Sequence, residues 1–147
     1  MNGKMLFAAL AILLCCTPLA CSKKAPPEAK AALTSALDAL GQGNAAAFVA
    51  KVLPAQRASV RTLRQWPFFA AVKGYKIDDE LSKGTDNGAR FMTHVYFDAA
   101  QKVFTTLGFE LKQAGGAWGI DLKETIRMQI AMNGAAAFNR YKFVRKR

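Results

Sequence analysis

The sequence predicts an α+β protein, with N-terminal helices packed on a four-stranded antiparallel sheet and a basic helical extension at the C terminus. Three observations predict it. Apolar residues recur at helical spacing up to Gly74, alternate with polar ones from there to residue 123, and then give way to a cation-rich stretch. The 147 residues make one domain on length, and a chain of this size buries roughly two-thirds of its unfolded surface, so its core needs no staples. Formal net charge is +11, or +10 once Lys4 leaves with a leader. That excess favours anionic partners such as acidic lipid headgroups, envelope polymers or nucleic acid.

The first element is a leader over residues 1–20. A short basic start ending at Lys4 precedes a continuous apolar run of 12 residues, 5–16 (MLFAALAILLCC), and Pro18 closes it. A helix of that length rises about 18 Å against a hydrocarbon core of roughly 30 Å, too short for a permanent span. It reads as the core of a signal peptide. All three cysteines, Cys15, Cys16 and Cys21, lie within it or just behind it. A mature chain beginning at Cys21 has no other thiol, which excludes disulfides, cysteine metal sites and cysteine nucleophiles.

Leu19, Ala20 and Cys21, followed by the polar Ser22, Lys23 and Lys24, resemble the processing box of bacterial lipoprotein precursors, with the leucine one position later than in the family. The resemblance implies cleavage before Cys21 and lipid on its thiol; several acyl chains are needed, since one holds only marginally. Ser22 stands where an aspartate would mark retention at the inner membrane, which by resemblance favours the outer membrane. The implied address is the bacterial cell envelope, lipid-anchored and facing the periplasm, where nucleic acid is a poor partner. Ordinary secretion, with a cut after Ser22 and Ala20 three residues before it, is the alternative.

Residues 21–27 then form the lipidated cysteine and a flexible, proline-containing tether. Residues 28–40 carry Ala29, Leu33, Ala36, Leu37 and Leu40 on one helical face, with prolines before and Gly41 after. Asn44 caps a second helix over 45–53 that turns Phe48, Val49 and Val52 inward. Pro54 opens a third helical stretch to about residue 65, where Arg57, Arg61 and Arg64 form a basic stripe. The stripe is either a solvated face or an anion-binding surface. Trp66, Phe68 and Phe69 read as core.

Four strands follow, over 75–83, 89–98, 102–112 and 117–123, joined by short turns that make antiparallel hairpins. Phe91, Thr93, Val95 and Phe97 share one face of the second; Val103, Thr105, Leu107, Phe109 and Leu111 share one face of the third; Trp118, Ile120 and Leu122 supply the fourth. The preceding helices are the expected cover for that face. Helices, a Gly43-Asn44 turn, a strand beginning Tyr75-Lys76-Ile77 and the strand Gly116-Ala117-Trp118-Gly119-Ile120 together resemble small lipoproteins of the nuclear-transport-factor-two-like superfamily. That likeness covers 28–122 and implies a cone-like domain in which the helices pack on a curved four-stranded sheet.

The final segment, 123–147, is the basic extension. It offers a helix over 124–132, with Ile126 and Ile130 among its apolar residues, and then Arg140, Lys142, Arg145, Lys146 and Arg147 interleaved with Tyr141, Phe143 and Val144. Such a tail either docks on an acidic membrane or stays in solvent.

Chemistry is sparse. His94 is the sole histidine, and with Tyr96 and Tyr75 it would line a cone pocket, or else sit on an exposed strand face. Asp78 and Glu80 share a face on alternation, as an acid/base pair would, with Asp79 opposite; edge charges are the plainer account. No phosphate loop, nucleophile elbow or metalloprotease helix is present, and no cofactor or metal is expected. The leading expectation is a membrane-anchored, non-enzymatic module that binds a small apolar ligand or a partner protein. An isomerase- or hydrolase-like enzyme, and a surface-adhering protein using the basic residues on anionic lipid or polymer, are the alternatives.

Overall fold

A computed structural model describes residues 23–60, 69 and 71–133. Cys21, Arg61, Arg64, Trp66, Phe68 and the cations from Arg140 onward lie outside the described residues.

Helix α1 spans Pro27–Gly41, begun by Pro27, whose missing amide hydrogen costs nothing at a helix start. Its buried stripe is Ala29, Leu33, Ala36, Leu37 and Leu40, the face set by sequence spacing, with Ala39 added. Helix α2, Ala45–Ala50, starts where the Asn44 side chain accepts from the Ala47 amide at 3.0 Å. It is shorter than its pattern suggests because the chain leaves it to reach the sheet. Val52 bridges Ile120 in parallel, with Leu53 N donating to Ile120 O and Ile120 N to Lys51 O. A single 3₁₀ turn, Pro54–Gln56, and a short helix α3, Arg57–Val60, follow. Phe69 is buried and stacks on Phe48 with ring centroids 5.5 Å apart, as a core residue should.

The sheet is a four-stranded antiparallel meander, β1 Gly74–Thr85, β2 Gly88–Tyr96, β3 Phe104–Ala114 and β4 Ala117–Ile120, in the order β1-β2-β3-β4. Gly115 and Gly116, both at positive φ (59° and 81°), make the two-residue turn between β3 and β4, a conformation that residues with a Cβ adopt at a cost. Phe91, Thr93 and Val95 of β2 and Leu107, Phe109 and Leu111 of β3 are buried on one face, against α1.

Two expectations need correction. The sheet is not strongly curled, so neither the curved sheet nor the cone is present. The cause is visible in the pairing. Strong curvature requires bulges or kinks in central strands, yet β2 and β3 pair without a shift from Ala89↔Leu111 to Tyr96↔Phe104. The one irregularity lies in the edge strand β1, between Asp78 and Lys83. The second correction concerns cover. Helix α4, Leu122–Asn133, lies on the opposite face of the sheet from α1. There Glu110 N donates to Thr125 Oγ1 at 3.0 Å and the Met128 sulfur sits over Gly108. Both faces of β3 are therefore buried from Leu107 to Leu111, and the molecule has three layers. The fourth strand also ends earlier than alternation implies, since Asp121 caps α4, which begins at Leu122.

Candidate functional site

Among the described residues, the sheet's second face is only half covered. Residues paired across strands share a face, so Asp78, Met92 and Gly108 form one row, Lys76, His94 and Thr106 the next, and Gly74, Tyr96 and Phe104 the last. Helix α4 covers the Gly108 row. Beyond it no described residue covers the face, and Phe104 is 54% exposed. The His94 ring meets Phe104 edge-on at 5.4 Å, and Tyr96 packs on the same ring at 5.9 Å. His94 Nδ1 and Thr106 Oγ1 share a hydrogen bond of 2.8 Å, which fixes the imidazole's orientation. The result is a preformed aromatic patch at the β2–β3 end of the sheet, with Lys76 exposed beside it.

Tyr75 does not join this patch. It pairs with Val95 and so faces α1, where its hydroxyl donates to Asp38 Oδ1 at 2.7 Å. Burial first, then the hydrogen bond and the charge of Asp38, push its hydroxyl up to about 12 from 10.0. The three side chains drawn together in the sequence reading as a pocket thus divide two to one across the sheet. Asp38 also borders an open groove of about 650 Å³ along α1 and the start of α2, lined by Lys30, Thr34, Gln42 and Asn44 among others. Three of its polar groups are already engaged, Lys30 by Asp79, Asp38 by Tyr75 and the Asn44 oxygen by the Ala47 amide.

The acidic run at 78–80 does not alternate. Asp78 Oδ1 accepts from the amides of Glu80 and Leu81 at 3.0 and 3.1 Å, folding the strand into a bulge. Ser82 Oγ completes it, donating to Asp78 O and accepting from Met92 N. Asp79 is held by Lys30 of α1 at 2.6 Å, and the register shift after Asp78 breaks the alternation on which the pairing of Asp78 with Glu80 depended. Arg57, the described member of the basic stripe, donates to Val52 O (3.0 Å) and Ala50 O (2.9 Å), satisfying carbonyls at and just beyond the end of α2. Among the described residues no cluster of three or more histidine, cysteine or acidic side chains could hold a metal. Among them, too, no helix is long and apolar enough to cross a membrane.

One polar cluster was not foreseen. Asp121 is buried and accepts from Gln56 Nε2 (2.8 Å), Lys112 Nζ (2.7 Å) and the Glu124 amide (3.1 Å), while Gln56 Oε1 accepts from Lys123 N. Burial acts to raise its carboxyl, but Gln56, Lys112 and the Glu124 amide together hold it below the ordinary value. This cluster fastens the 3₁₀ turn, β3 and α4 to one another and presents no open reactive group. Alternation sends Phe104 to the face opposite Leu107, but it does not place Val103, which precedes β3 and is 45% exposed where the spacing expects it on the inner face.

No family model matches the chain, and neither curated proteins nor solved structures show a match to it. The class defined by the fold is a small α+β domain of N-terminal helices, a four-stranded antiparallel sheet and a C-terminal helix.

Proposed function

We propose that the chain is a lipid-anchored protein of the bacterial envelope whose domain is a binding module, with the patch of His94, Tyr96 and Phe104 as the docking surface for a partner protein. The exposed Phe104 ring, held by two aromatic neighbours, is the observation that carries the binding role. Aromatic side chains are enriched at protein interfaces, and a fixed ring gives up little conformational entropy on contact. The flat surface suits a protein partner better than an enclosed small molecule. The address rests on the leader and on Cys21, with its resemblance to lipoprotein precursors. The likeness to the transport-factor superfamily is not carried forward, since the curl that would define it is missing.

The test pairs two measurements on protein made in a bacterium from the full chain. Intact mass should return a chain beginning at Cys21 and carrying diacylglyceryl. Titration of the purified domain against fractionated envelope proteins should find a saturable partner whose affinity falls at least about tenfold, near 1.4 kcal/mol, in Phe104→Ala while the fold is kept. A partner bound equally by Phe104→Ala would refute the patch; an unmodified N terminus beyond residue 21 would refute the address.

A further inference from the structure

The chain behind the cysteine does not swing free for long. Gly84 N donates to Lys23 O at 2.6 Å, and the backbone approach is so close that a Cβ on Gly84 would lie 3.1 Å from Lys24 O and 3.2 Å from Lys23 Cβ. Ala25 packs against the core, and Pro26 O accepts from Lys30 N as α1 begins. From Lys23 onward the segment is latched to the β1–β2 hairpin. Cys21 stands two residues earlier, and two residues extend no further than about 7 Å.

The meander places the β1–β2 turn at Asp86-Asn87 and the β3–β4 turn at Gly115-Gly116 at the same end of the sheet. The β2–β3 loop lies at the other end, beside Tyr96 and Phe104. Nine residues of β2 separate the two ends, roughly 26 Å at the usual rise of a strand. Building on the anchor proposed above at Cys21, we infer that the domain is seated on the bilayer by its hairpin end, with the Asp86-Asn87 turn at the lipid headgroups. The aromatic patch then stands at the far end, directed away from the membrane. The short link sets this orientation.

The experiment uses the full chain, processed in cells and reconstituted into phosphatidylcholine–phosphatidylglycerol vesicles carrying nitroxide on a fraction of the headgroups. The mature chain has no free thiol once Cys21 is acylated, so Asn87→Cys and Ala100→Cys, both at exposed turns, each accept one fluorophore. The seated domain predicts several-fold stronger quenching at position 87 than at position 100. A long Gly/Ser insertion between Ser22 and Lys23 should erase the difference. Equal or reversed quenching on protein whose mass shows the lipid overturns the seating and leaves the anchor standing. A mass without lipid overturns the anchor, and the seating with it.

Discussion

At Asp121 one carboxylate serves three donors and also caps a helix, so its removal should be felt in stability and in pH response together. Asparagine can keep the cap, so Asp121→Asn gives up chiefly the charge-assisted bond from Lys112 and is predicted to lose about 1–2 kcal/mol. The pH response has a definite sign. The folded carboxyl titrates below its ordinary value of 3.8, so on acidification the unfolded chain takes up the proton first. The stabilisation is therefore complete above that value and drains away as the pH drops through the lower, folded one. Urea denaturation across the acid range should show a limb that flattens in Asp121→Asn; an unchanged limb would remove Asp121 as its cause. Gln129 poses the reverse case. Its amide is buried, and both polar atoms lack a hydrogen-bond partner among the described residues. Replacing it with an apolar side chain of similar length removes a desolvation penalty of about 1–3 kcal/mol, so Gln129→Met is expected to raise Tm.

At the scale of elements, the helices and strands were legible where one periodicity ruled, and illegible where a side chain competed with the backbone. The stripe of α1 and the inner faces of β2 from Phe91 to Val95 and of β3 from Leu107 to Leu111 follow directly from spacing, whereas Phe97 and Val103 fall outside their strands. The bulge in β1 does not, because Asp78 reads as one more alternating residue until its carboxylate is seen to take two backbone amides. The start of α4 was hidden for a related reason: Trp118, Ile120 and Leu122 alternate as a strand, while the pair Asp121 and Glu124 forms a capping signal that a strand reading overlooks. Within α4 the apolar residues misled too, since Ile130 is 40% exposed while Thr125 and Gln129 are buried. Helix α2 supplies a test at this scale. With six residues it depends on its ends, and Arg57 satisfies carbonyls there. Arg57→Ala should cost about 1 kcal/mol by denaturant titration, while Arg57→Lys, which lacks the planar fork, should recover only part of it.

For the whole molecule, the core gathers the buried face of α1 and the inner side chains of the sheet into one cluster. Phe109 faces Phe91 across the β2–β3 pair and both are buried in that cluster. Phe109→Ala should lose roughly 3–5 kcal/mol, a large share of the 5–15 kcal/mol typical of such a domain, and a chemical denaturation curve will show whether cooperativity survives. The candidate site was half legible on this scale. Alternation put His94 and Tyr96 on one face, but pairing register was needed to bring Phe104 to them and to set Tyr75 on the other side. Sheet shape was not legible at all, because curl depends on where pairing slips, and sequence pattern does not display register.

The two outer strands bear on how crowded copies behave. The border of β4 is occupied by the Val52 bridge, and that of β1 is interrupted by the bulge at Asp78. A neighbouring molecule therefore finds no long, uninterrupted row of amides and carbonyls on which to extend a sheet. Concentrated protein should accordingly resist fibril growth and give no thioflavin signal, even with an aromatic ring left open to solvent.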